Sequence, residues 1–290
     1  MILDLLQKGP YTVTQLAQEL GIAQPAVSKH VQILEEAGLI QTVPGTSERG
    51  ATKLCYRTYN EIHFHFATLP EPALSDRLTL TMPVGGFSRC EVHPTCGLAS
   101  AESLIGYYDD PRSFYLPERL KAEILWFGWG YVEYDFPNPL VAGQKVDRLE
   151  LSLELCSEAP GYEVDYPSEI TFSINNREIG CWLCPGDMGD QRGLLNPSWW
   201  PDTNTQYGFL KSISVGQDGA SIDGVKVSTV TPEDLIDRSK PFITVRIEVK
   251  ENAKFRGGVN IFGKSFGNYR QDIYFTVVSH PENNQNRATS

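Results

Sequence analysis

The sequence lacks any apolar run of about 18 residues, which excludes a predicted membrane-spanning helix. Its first residues, MILDLLQKGPYTV, also lack the basic segment and apolar core of a secretory signal peptide. We therefore expect a cytoplasmic protein with no membrane partner. In that compartment the six cysteines are expected to be reduced thiols rather than a disulfide framework.

Positive charge is scarce and unevenly spread. The chain has 25 Lys and Arg against 36 Asp and Glu, a formal net charge of −11. Residues 1–60 hold five basic and five acidic side chains, so 5 − 5 leaves that segment neutral and the remainder carries the whole −11. Because an acidic surface repels a polyanion, any nucleic-acid contact must be confined to those first residues.

The usual signatures of enzymes are missing. No Gly-rich phosphate loop follows a strand pattern, and no G-x-S-x-G elbow occurs. Asp187 and Asp190 could form a glycosidase pair, but the region around them is too short to hold a catalytic barrel as well as a jelly roll. His280 falls in the polar end SHPENNQNRATS. We predict that the chain is not an enzyme and uses no cofactor.

Two short helical patterns lie near the start. In TVTQLAQELG the apolar residues share one helical face: Val13, Leu16, Ala17 and Leu20. Thr12 and Gln15 are spaced for a capping box, and Gly21 is placed to end the helix. After a short turn, a second set of apolar residues recurs at helical spacing: Val27, Val31 and Leu34. Gly38 is placed to end this second helix.

The opposite face of the second helix is polar and predicts a contact with double-stranded DNA. Its residues can reach base edges and phosphates in a major groove: Gln24, Pro25, Ser28, Lys29 and Gln32. The next stretch, LIQTVPGTSERGATKLCYRTY, alternates around a Pro-Gly-Thr-Ser turn. It predicts a two-stranded wing with Arg49 and Lys53 near its tip.

Through TVTQLAQELGIAQPAVSKHVQILEEAGLI and this wing, residues 1 to about 60 resemble the winged helix-turn-helix of ArsR-type bacterial repressors, and the predicted DNA-binding domain spans residues 1–66. The resemblance implies a DNA-binding transcriptional regulator, a repressor, that acts as a homodimer. The family's earlier helix, which often helps to form the dimer, is expected to be only partly present. The family's metal sensors place a cysteine pair on or just before the recognition helix. Residues 12–40 contain no cysteine, which excludes metal sensing there.

After a Pro-bearing linker at 67–76, the pattern becomes that of β-strands. Apolar and polar residues alternate in 149–156, 170–174 and 243–250, and a last run reads DIYFTVV. We predict an antiparallel β-sandwich or jelly roll over residues 77–280 and a polar tail at 281–290. The predicted fold class is α+β multidomain, a small winged helix-turn-helix followed by this large β-domain. Helices are expected at SAESLIGYY and PEDLIDR, with EVHPTCGLAS as a loop entering the first.

A long loop, CWLCPGDMGDQRGLLNPSWWPDTNTQYG at 181–208, stands out within the β-domain, because long ordered loops are commonly functional. It combines flat aromatic rings with groups that can pair with hydroxyls: Trp199, Trp200, Asp187, Asp190, Arg192 and Asn196. These residues predict a saccharide pocket. The alternative is that both tryptophans fill the open end of the sandwich.

With EITFSINNREIG and VNIFGKSFGNYRQDIYF, the β-domain resembles the galactose-binding-like jelly rolls attached to carbohydrate enzymes. That resemblance implies a saccharide effector. The alternative function is a regulator whose β-domain only dimerises or binds a protein partner.

The cysteines and histidines offer one further kind of site, a metal site. Close Cys and His residues could hold zinc if their segments met: Cys90, His93 and Cys96, Cys181 and Cys184, and His63 and His65. The spacing is incomplete, however, and isolated cysteines are commonly buried as small apolar residues. We therefore predict no metal site.

Overall fold

The computed structural model describes residues 1–6, 9–47, 50–58 and 76–282. The chain divides into two compact units, Met1–Pro70 and Glu71–Ser290. The predicted linker lies outside the described residues except for Asp76, where the first strand of the second unit begins. The last strand ends at Pro281, one residue into the predicted tail. No helix in the described part of the chain is long and apolar enough to span a membrane.

The first unit is a winged helix-turn-helix. Its elements are α1 (Ile2–Leu6), β1 (Tyr11–Thr12), α2 (Val13–Leu20), α3 (Gln24–Glu36), β2 (Ile40–Ser47) and β3 (Gly50–Arg57). Strand β3 pairs in antiparallel register with both β1 and β2. The two predicted helices and the predicted two-stranded wing are confirmed.

Local signals determine where α2 begins and ends. The Thr12 hydroxyl accepts from the Gln15 amide at 3.2 Å, and the Gln15 side chain accepts from the Thr12 amide at 2.8 Å. This reciprocal pair satisfies N–H groups that the first turn leaves without helical partners. Gly21 ends the helix at φ +65°, a left-handed conformation that glycine adopts without a Cβ clash. The apolar faces of α2 and α3 meet in a small core that includes Leu16, Val27 and Val31.

The second unit consists almost entirely of antiparallel strands. They are β4 (Asp76–Met82), β5 (Arg89–Ala99), β6 (Leu104–Ile105), β7 (Ile124–Pro137), β8 (Gln144–Cys156), β9 (Ser168–Ile174), β10 (Arg177–Cys184), β11 (Phe209–Gly216), β12 (Gly219–Ile222), β13 (Val225–Ser228), β14 (Phe242–Val249), β15 (Val259–Phe262) and β16 (Ile273–Pro281). A short helix, α4 (Pro232–Leu235), precedes β14 and confirms the helix predicted at PEDLIDR.

The strands form two layers that are joined into a nearly closed barrel. One layer runs β10-β9-β14-β7-β5-β6, and the other runs β4-β16-β8-β11-β12-β13. Strand β15 connects them, because it pairs with β7 on one side and with β8 on the other. At the opposite side, the Ser228 hydroxyl of β13 donates to the Ile179 carbonyl of β10 at 2.7 Å. The predicted fold class, a small winged helix-turn-helix followed by a large antiparallel β-domain, is confirmed.

The core between the layers comes from the alternation seen in the sequence. In β8, Leu149, Leu151 and Leu153 are each 1% exposed, whereas the intervening Glu150 and Ser152 are half-buried. A strand with this period places its apolar side chains on one face.

Two local predictions were wrong. The segment SAESLIGYY is not helical, because the Ser100 hydroxyl accepts from the amides of Glu102 and Ser103, both at 3.1 Å. Such side-chain bonds compete with helix formation and here close the turn between β5 and β6. EVHPTCGLAS is not a loop entering a helix: all of it except Ser100 belongs to β5, which pairs along β7.

His280 is not part of a frayed tail. It lies in β16, and its ring nitrogen Nδ1 is 2.8 Å from the Asp147 carboxylate of β8. The strand continues to Pro281 because its backbone pairs with β8 as far as Gln144.

Candidate DNA-binding surface and ligand cavity

Helix α3 presents the polar face predicted for DNA. The five predicted residues of this helix are all exposed: Gln24, Pro25, Ser28, Lys29 and Gln32. On the other side of the helix, Val27 and Val31 are 0% and 5% exposed and belong to the core of the first unit. An α-helix turns about 100° per residue, so these two sets occupy different faces.

Side-chain contacts position the end of this surface. The Gln32 amide donates to Glu36 across one helical turn at 2.9 Å, and the Glu35 carboxylate accepts from the Thr42 amide of β2 at 3.1 Å. The Thr42 hydroxyl lowers the pKa of Glu35, with a smaller contribution from Lys53. Glu35 therefore connects α3 to the wing as a carboxylate. Lys53 is exposed on β3, and the predicted Arg49 lies outside the described residues.

The start of α3 is suited to an anion. Its N-cap is Ala23, which has no side-chain oxygen, and Pro25 occupies the first turn. Without a capping side chain, N–H groups of the first turn can face a phosphate oxygen, which the helix dipole also favours. Lys29, one turn later, adds a cation on the same exposed face.

A separate apolar hollow of about 450 Å³ lies on the first unit. It is lined by residues of α1, α2, α3 and the α2–α3 turn, among them Ile2, Leu20, Ile22, His30 and Ile33. Ile22 is 40% and Ile33 is 51% exposed. His30 and Ile33 fall at helical angles between the core face and the polar face of α3, so this hollow leaves the predicted DNA-binding face uncovered.

In the second unit, the predicted saccharide loop begins at Pro185, because Cys181–Cys184 lie in β10. Trp200 is 3% exposed and forms edge contacts with Trp126, Trp199 and Phe266 at ring-centroid distances of 5.9, 5.6 and 5.1 Å. The Trp199 indole N–H donates to the Ala101 carbonyl at 2.7 Å. Both rings therefore pack within the unit, and they do not form an exposed stacking platform.

The polar residues of the loop are also held by internal bonds. Asn196 donates to the Gln206 carbonyl at 2.8 Å and accepts from the Gly267 amide at 2.8 Å. Arg192 donates to the carbonyls of Trp200 and Pro197 at 3.1 and 2.7 Å and contacts Asp202. The exposed Asp190 accepts from the Tyr207 hydroxyl at 2.7 Å, and Asp187 is fully buried. These four side chains hold the loop and are not gathered around a common space.

Trp200 nevertheless lines a cavity of about 180 Å³, here called the Trp200 cavity. Further aromatic, acidic and amide side chains come from four other segments: Tyr108, Asp109, Trp126, Glu158 and Asn260. The side chain of Thr95, from β5, adds a hydroxyl group. Thr205, from the same loop as Trp200, also lines it. The structure therefore brings one of the six predicted ligand residues to this cavity.

Hydrogen bonds arrange the polar wall of the Trp200 cavity. The Asn260 amide donates to Glu158 Oε2 at 2.8 Å and lies 3.3 Å from the Thr205 hydroxyl. That hydroxyl donates to Asp187 Oδ2 at 2.9 Å, so Asp187 stands directly behind the wall. Burial raises the pKa of Asp187 to about 7, and burial with the nearby Asp187 raises the pKa of Glu158 well above its usual range.

Asp109 is fixed at the same cavity by its backbone. It adopts φ +56°, a left-handed conformation that Asp tolerates better than most residues. Its amide donates to the Cys96 carbonyl at 2.8 Å, while its Oδ1 accepts from the Cys96 amide at 2.9 Å. Strain of this kind is maintained only where surrounding contacts impose it, and it is common at binding sites.

Sequence reasoning missed the four segments that supply Tyr108, Asp109, Trp126, Glu158 and Asn260. One signal was available: Glu158 follows the apolar run of β8 directly, in CSEAPG, and strand ends often carry binding residues. The others meet only through the pairing of β5, β7 and β15.

A larger hollow of about 640 Å³ lies beside the β5–β6 turn. It is lined by 100–106 with Leu116, Glu118, Lys121 and Glu123, and the described residues around it include no aromatic ring. Small-molecule sites usually combine apolar or aromatic walls with a few convergent polar groups. The Trp200 cavity has that combination, so it is the better candidate despite its smaller volume.

The cysteines and histidines are dispersed. Within the described ranges, no group of three or more His, Cys, Asp or Glu residues is arranged to hold a metal ion, and His63 and His65 lie outside those ranges. His93 stacks on Trp129 with ring centroids 3.4 Å apart. Burial raises the pKa of Cys96 to about 12 and that of Cys184 to about 11, so both are protonated thiols, which bind metals poorly.

A helix pair with an exposed polar second helix and an adjacent two-stranded wing defines the first unit as a winged helix-turn-helix DNA-binding unit. Residues 1–42 match the model of the arsR family of bacterial regulatory proteins. The HTH-type transcriptional regulator NmtR of Mycobacterium tuberculosis is 33% identical over 99 residues, 33% of this chain and 70% of that regulator. The chain belongs to the ArsR family of DNA-binding transcriptional regulators.

Among solved structures, the Agl-KA catalytic domain matches 55% of this chain at 8% identity and a TM-score of 0.23. This chain spans 21% of that structure's length. A likeness this slight supports neither a shared fold nor a shared activity.

Proposed function

We propose that the chain is a one-component repressor that binds double-stranded DNA through α3 and the wing and releases it when a saccharide occupies the second unit. The exposed polar face of α3, in a chain of the ArsR family, is the observation that supports DNA binding most directly. Ser28 and Gln32 are the proposed base-reading residues, and Lys29, Lys53 and Arg49 the proposed phosphate contacts.

The repressor is proposed to act as a homodimer. A single α3 offers one cation, Lys29, and a few polar groups, so two copies on adjacent half-sites are needed for tight binding. The apolar hollow containing Ile22, His30 and Ile33 is the proposed contact with the second copy. It supports this role because it lies away from the polar face and leaves that face available to DNA.

The Trp200 cavity is the proposed saccharide site. Aromatic rings with carboxylate, amide and hydroxyl groups suit a sugar, because C–H faces pack on rings and hydroxyls need paired partners. A bound sugar alters repression only if it binds better to the dimer that does not fit the operator. Sugar and operator must therefore weaken each other's binding by the same factor.

The test begins with the full chain and a pool of random duplexes, from which bound sequences are selected over several rounds. Binding to the selected site is then measured for wild type, Gln32→Ala and Gln191→Ala. Gln191 is exposed in the second unit and serves as the matched control. Gln32→Ala should weaken the selected site by about 1–3 kcal/mol if it loses a good base contact, with little change on random DNA.

Repeating the titration with pentoses and hexoses tests sensing. A sugar that lowers operator affinity, and whose own affinity falls in the presence of operator, supports the proposal. If no sugar changes operator binding, the chain is a DNA-binding regulator whose second unit dimerises or binds a protein. No enrichment of any duplex would overturn the proposed DNA-binding role of α3.

A further inference from the structure

The Trp200 cavity has an excess of negative charge, most of it buried. The exposed Asp109 and the buried Glu158 line it, Asp187 lies behind Thr205, and the described lining residues include no Lys, Arg or His. Glu158 is 8% exposed and Asp187 is fully buried. Buried carboxylates in proteins are usually paired with a cation, because an isolated charge is costly to remove from water.

Hydrogen bonds only partly compensate for this charge. Glu158 is hydrogen-bonded to Asn260 and Thr95, and Asp187 accepts from Thr205, from the Ala159 amide at 3.0 Å and from the Cys156 thiol at 3.7 Å. The pKa of Glu158 is raised first by burial and then by Asp187, with Asp109 adding to the effect. At neutral pH the cavity must therefore either retain protons on its acids or receive a positive charge from outside.

Three aromatic rings complete the same cavity. The centroids of Tyr108 and Trp126 are 6.0 Å apart, and those of Trp126 and Trp200 are 5.9 Å apart with an interplanar angle of 65°. Aromatic faces carry partial negative charge and attract cations, tryptophan most strongly. Rings and carboxylates thus favour the same ligand charge. Gly97 makes the position of Trp126 possible, because a Cβ there would lie 2.3 Å from the indole.

The volume of the Trp200 cavity limits the size of its ligand. About 180 Å³ is below the roughly 300–1,000 Å³ of pockets for drug-sized ligands, so one six-membered ring with its substituents is the appropriate size. Tyr108 is 55% exposed, which gives such a ligand a route from solvent. Asn204, Thr205 and Asn260 offer amide and hydroxyl groups for the ring's own hydroxyls.

We propose that the Trp200 cavity binds a single amino sugar, with the protonated amine facing Glu158 and Asp109 and the ring held against Tyr108, Trp126 and Trp200. This inference rests on the proposed saccharide-sensing function and specifies its ligand class. The ammonium group supplies the missing positive charge and donates to both carboxylates. A hexuronate places a carboxylate against like charge and is excluded, while a neutral hexose leaves the acids without a cation.

Calorimetry on the full chain at neutral pH tests the charge requirement with three sets of probes. These are glucosamine and galactosamine, the matching hexoses, and the matching hexuronates. At least one amino sugar should bind about tenfold or more tightly than its hexose, and the hexuronates should not bind. N-acetylglucosamine, in which the nitrogen is a neutral amide, should bind no better than glucose.

Glu158→Gln and Asp109→Asn each replace a carboxyl group that can pair with the amine by a neutral amide of similar shape, and Glu251→Gln at an exposed site is the control. The first two variants should bind the amino sugar at least about tenfold more weakly while binding of the hexose is unchanged or stronger. Glu251→Gln should match wild type. Tryptophan fluorescence verifies folding, and failure of one charge variant to fold leaves the other to decide.

Equal binding of hexose and amino sugar, reduced equally by the charge variants, would overturn the amine requirement and leave saccharide sensing intact. If none of the probes binds, the amino-sugar proposal fails, and the operator titration with pentoses and hexoses decides saccharide sensing separately. Preference for a hexuronate would overturn the electrostatic argument outright.

Discussion

The Thr205 hydroxyl donates to Oδ2 of Asp187 at 2.9 Å, and it connects a fully buried carboxylate to the wall of the Trp200 cavity. Asp187 also accepts from the Ala159 amide at 3.0 Å. The side chain predicted to contact a sugar directly therefore acts from behind the wall. Its role is to hold Thr205 in place and to add negative potential at Glu158.

The buried Asp187 makes stability depend on pH. Its pKa is about 7 in the folded protein and near 3.8 when exposed, so between those values the folded state holds more protons. The free energy of unfolding should therefore fall as pH rises through that interval, by at most about 1.4 kcal/mol per pH unit from this group. Asp187→Asn should reduce the slope.

Urea unfolding at several pH values, followed by tryptophan fluorescence, measures this slope. All five tryptophans lie in the second unit, so the signal reports on that unit. Asp165→Asn, at an exposed carboxylate, is the control and should leave the slope unchanged. A variant at position 187 with the full wild-type slope would show that Asp187 is not the titrating group.

Removing the Trp200 ring should destabilise the second unit more than removing the indole hydrogen bond of Trp199. Trp200→Ala removes a ring that is 3% exposed and packed against Trp126 and Phe266, which should cost about 3–5 kcal/mol. Trp199→Phe keeps most of the ring but loses the bond to the Ala101 carbonyl, which should cost about 1 kcal/mol. The urea midpoints of both variants check the order. Equal, small losses would contradict the buried placement of Trp200.

The structural features that depend only on neighbouring residues were predicted correctly from the sequence. Thr12, Gln15 and Gly21 lie within one helix and its caps, and the alternation from Leu149 to Leu155 lies within one strand. Local geometry is sufficient for both. Local pattern also gave one wrong prediction. Ser100, the first residue of SAESLIGYY, closes a turn where a helix was predicted.

The cavity depends on contacts between distant segments. Glu158 meets Asn260 because β15 pairs with β8, and Trp126 of β7 meets Trp200 from the distant loop between β10 and β11. Strand pairing over such separations cannot be inferred from periodicity, which gives the face of a strand but not its neighbour. Composition singled out the loop containing Trp200, yet it could not show that Arg192 and Asn196 are used to hold that loop.

The capping box at Thr12 should govern the local stability of α2. Thr12→Ala removes the acceptor for the Gln15 amide and should destabilise the helix by about 1 kcal/mol. Hydrogen exchange of peptides covering Val13–Leu20 should become several-fold faster. Thr14→Ala, at an exposed position on the same helix, is the matched control. Unchanged exchange in Thr12→Ala would mean that tertiary packing alone holds the first turn.

Lys29 should set the salt dependence of DNA binding. It is exposed on the polar face of α3 and lies one turn beyond the uncapped helix start, where a phosphate is the expected partner. Each phosphate contact by a cation releases counterions, so Lys29→Ala should lower the slope of log affinity against log salt by about 1 per subunit. Affinity should fall on selected and random duplexes alike, because a phosphate contact carries no sequence information.

Fluorescence anisotropy across a series of salt concentrations measures both the affinity and the salt slope, with Lys226→Ala in the second unit as the control. A loss confined to the selected duplex, with the slope unchanged, would instead assign Lys29 to a base edge and transfer the phosphate role to the wing.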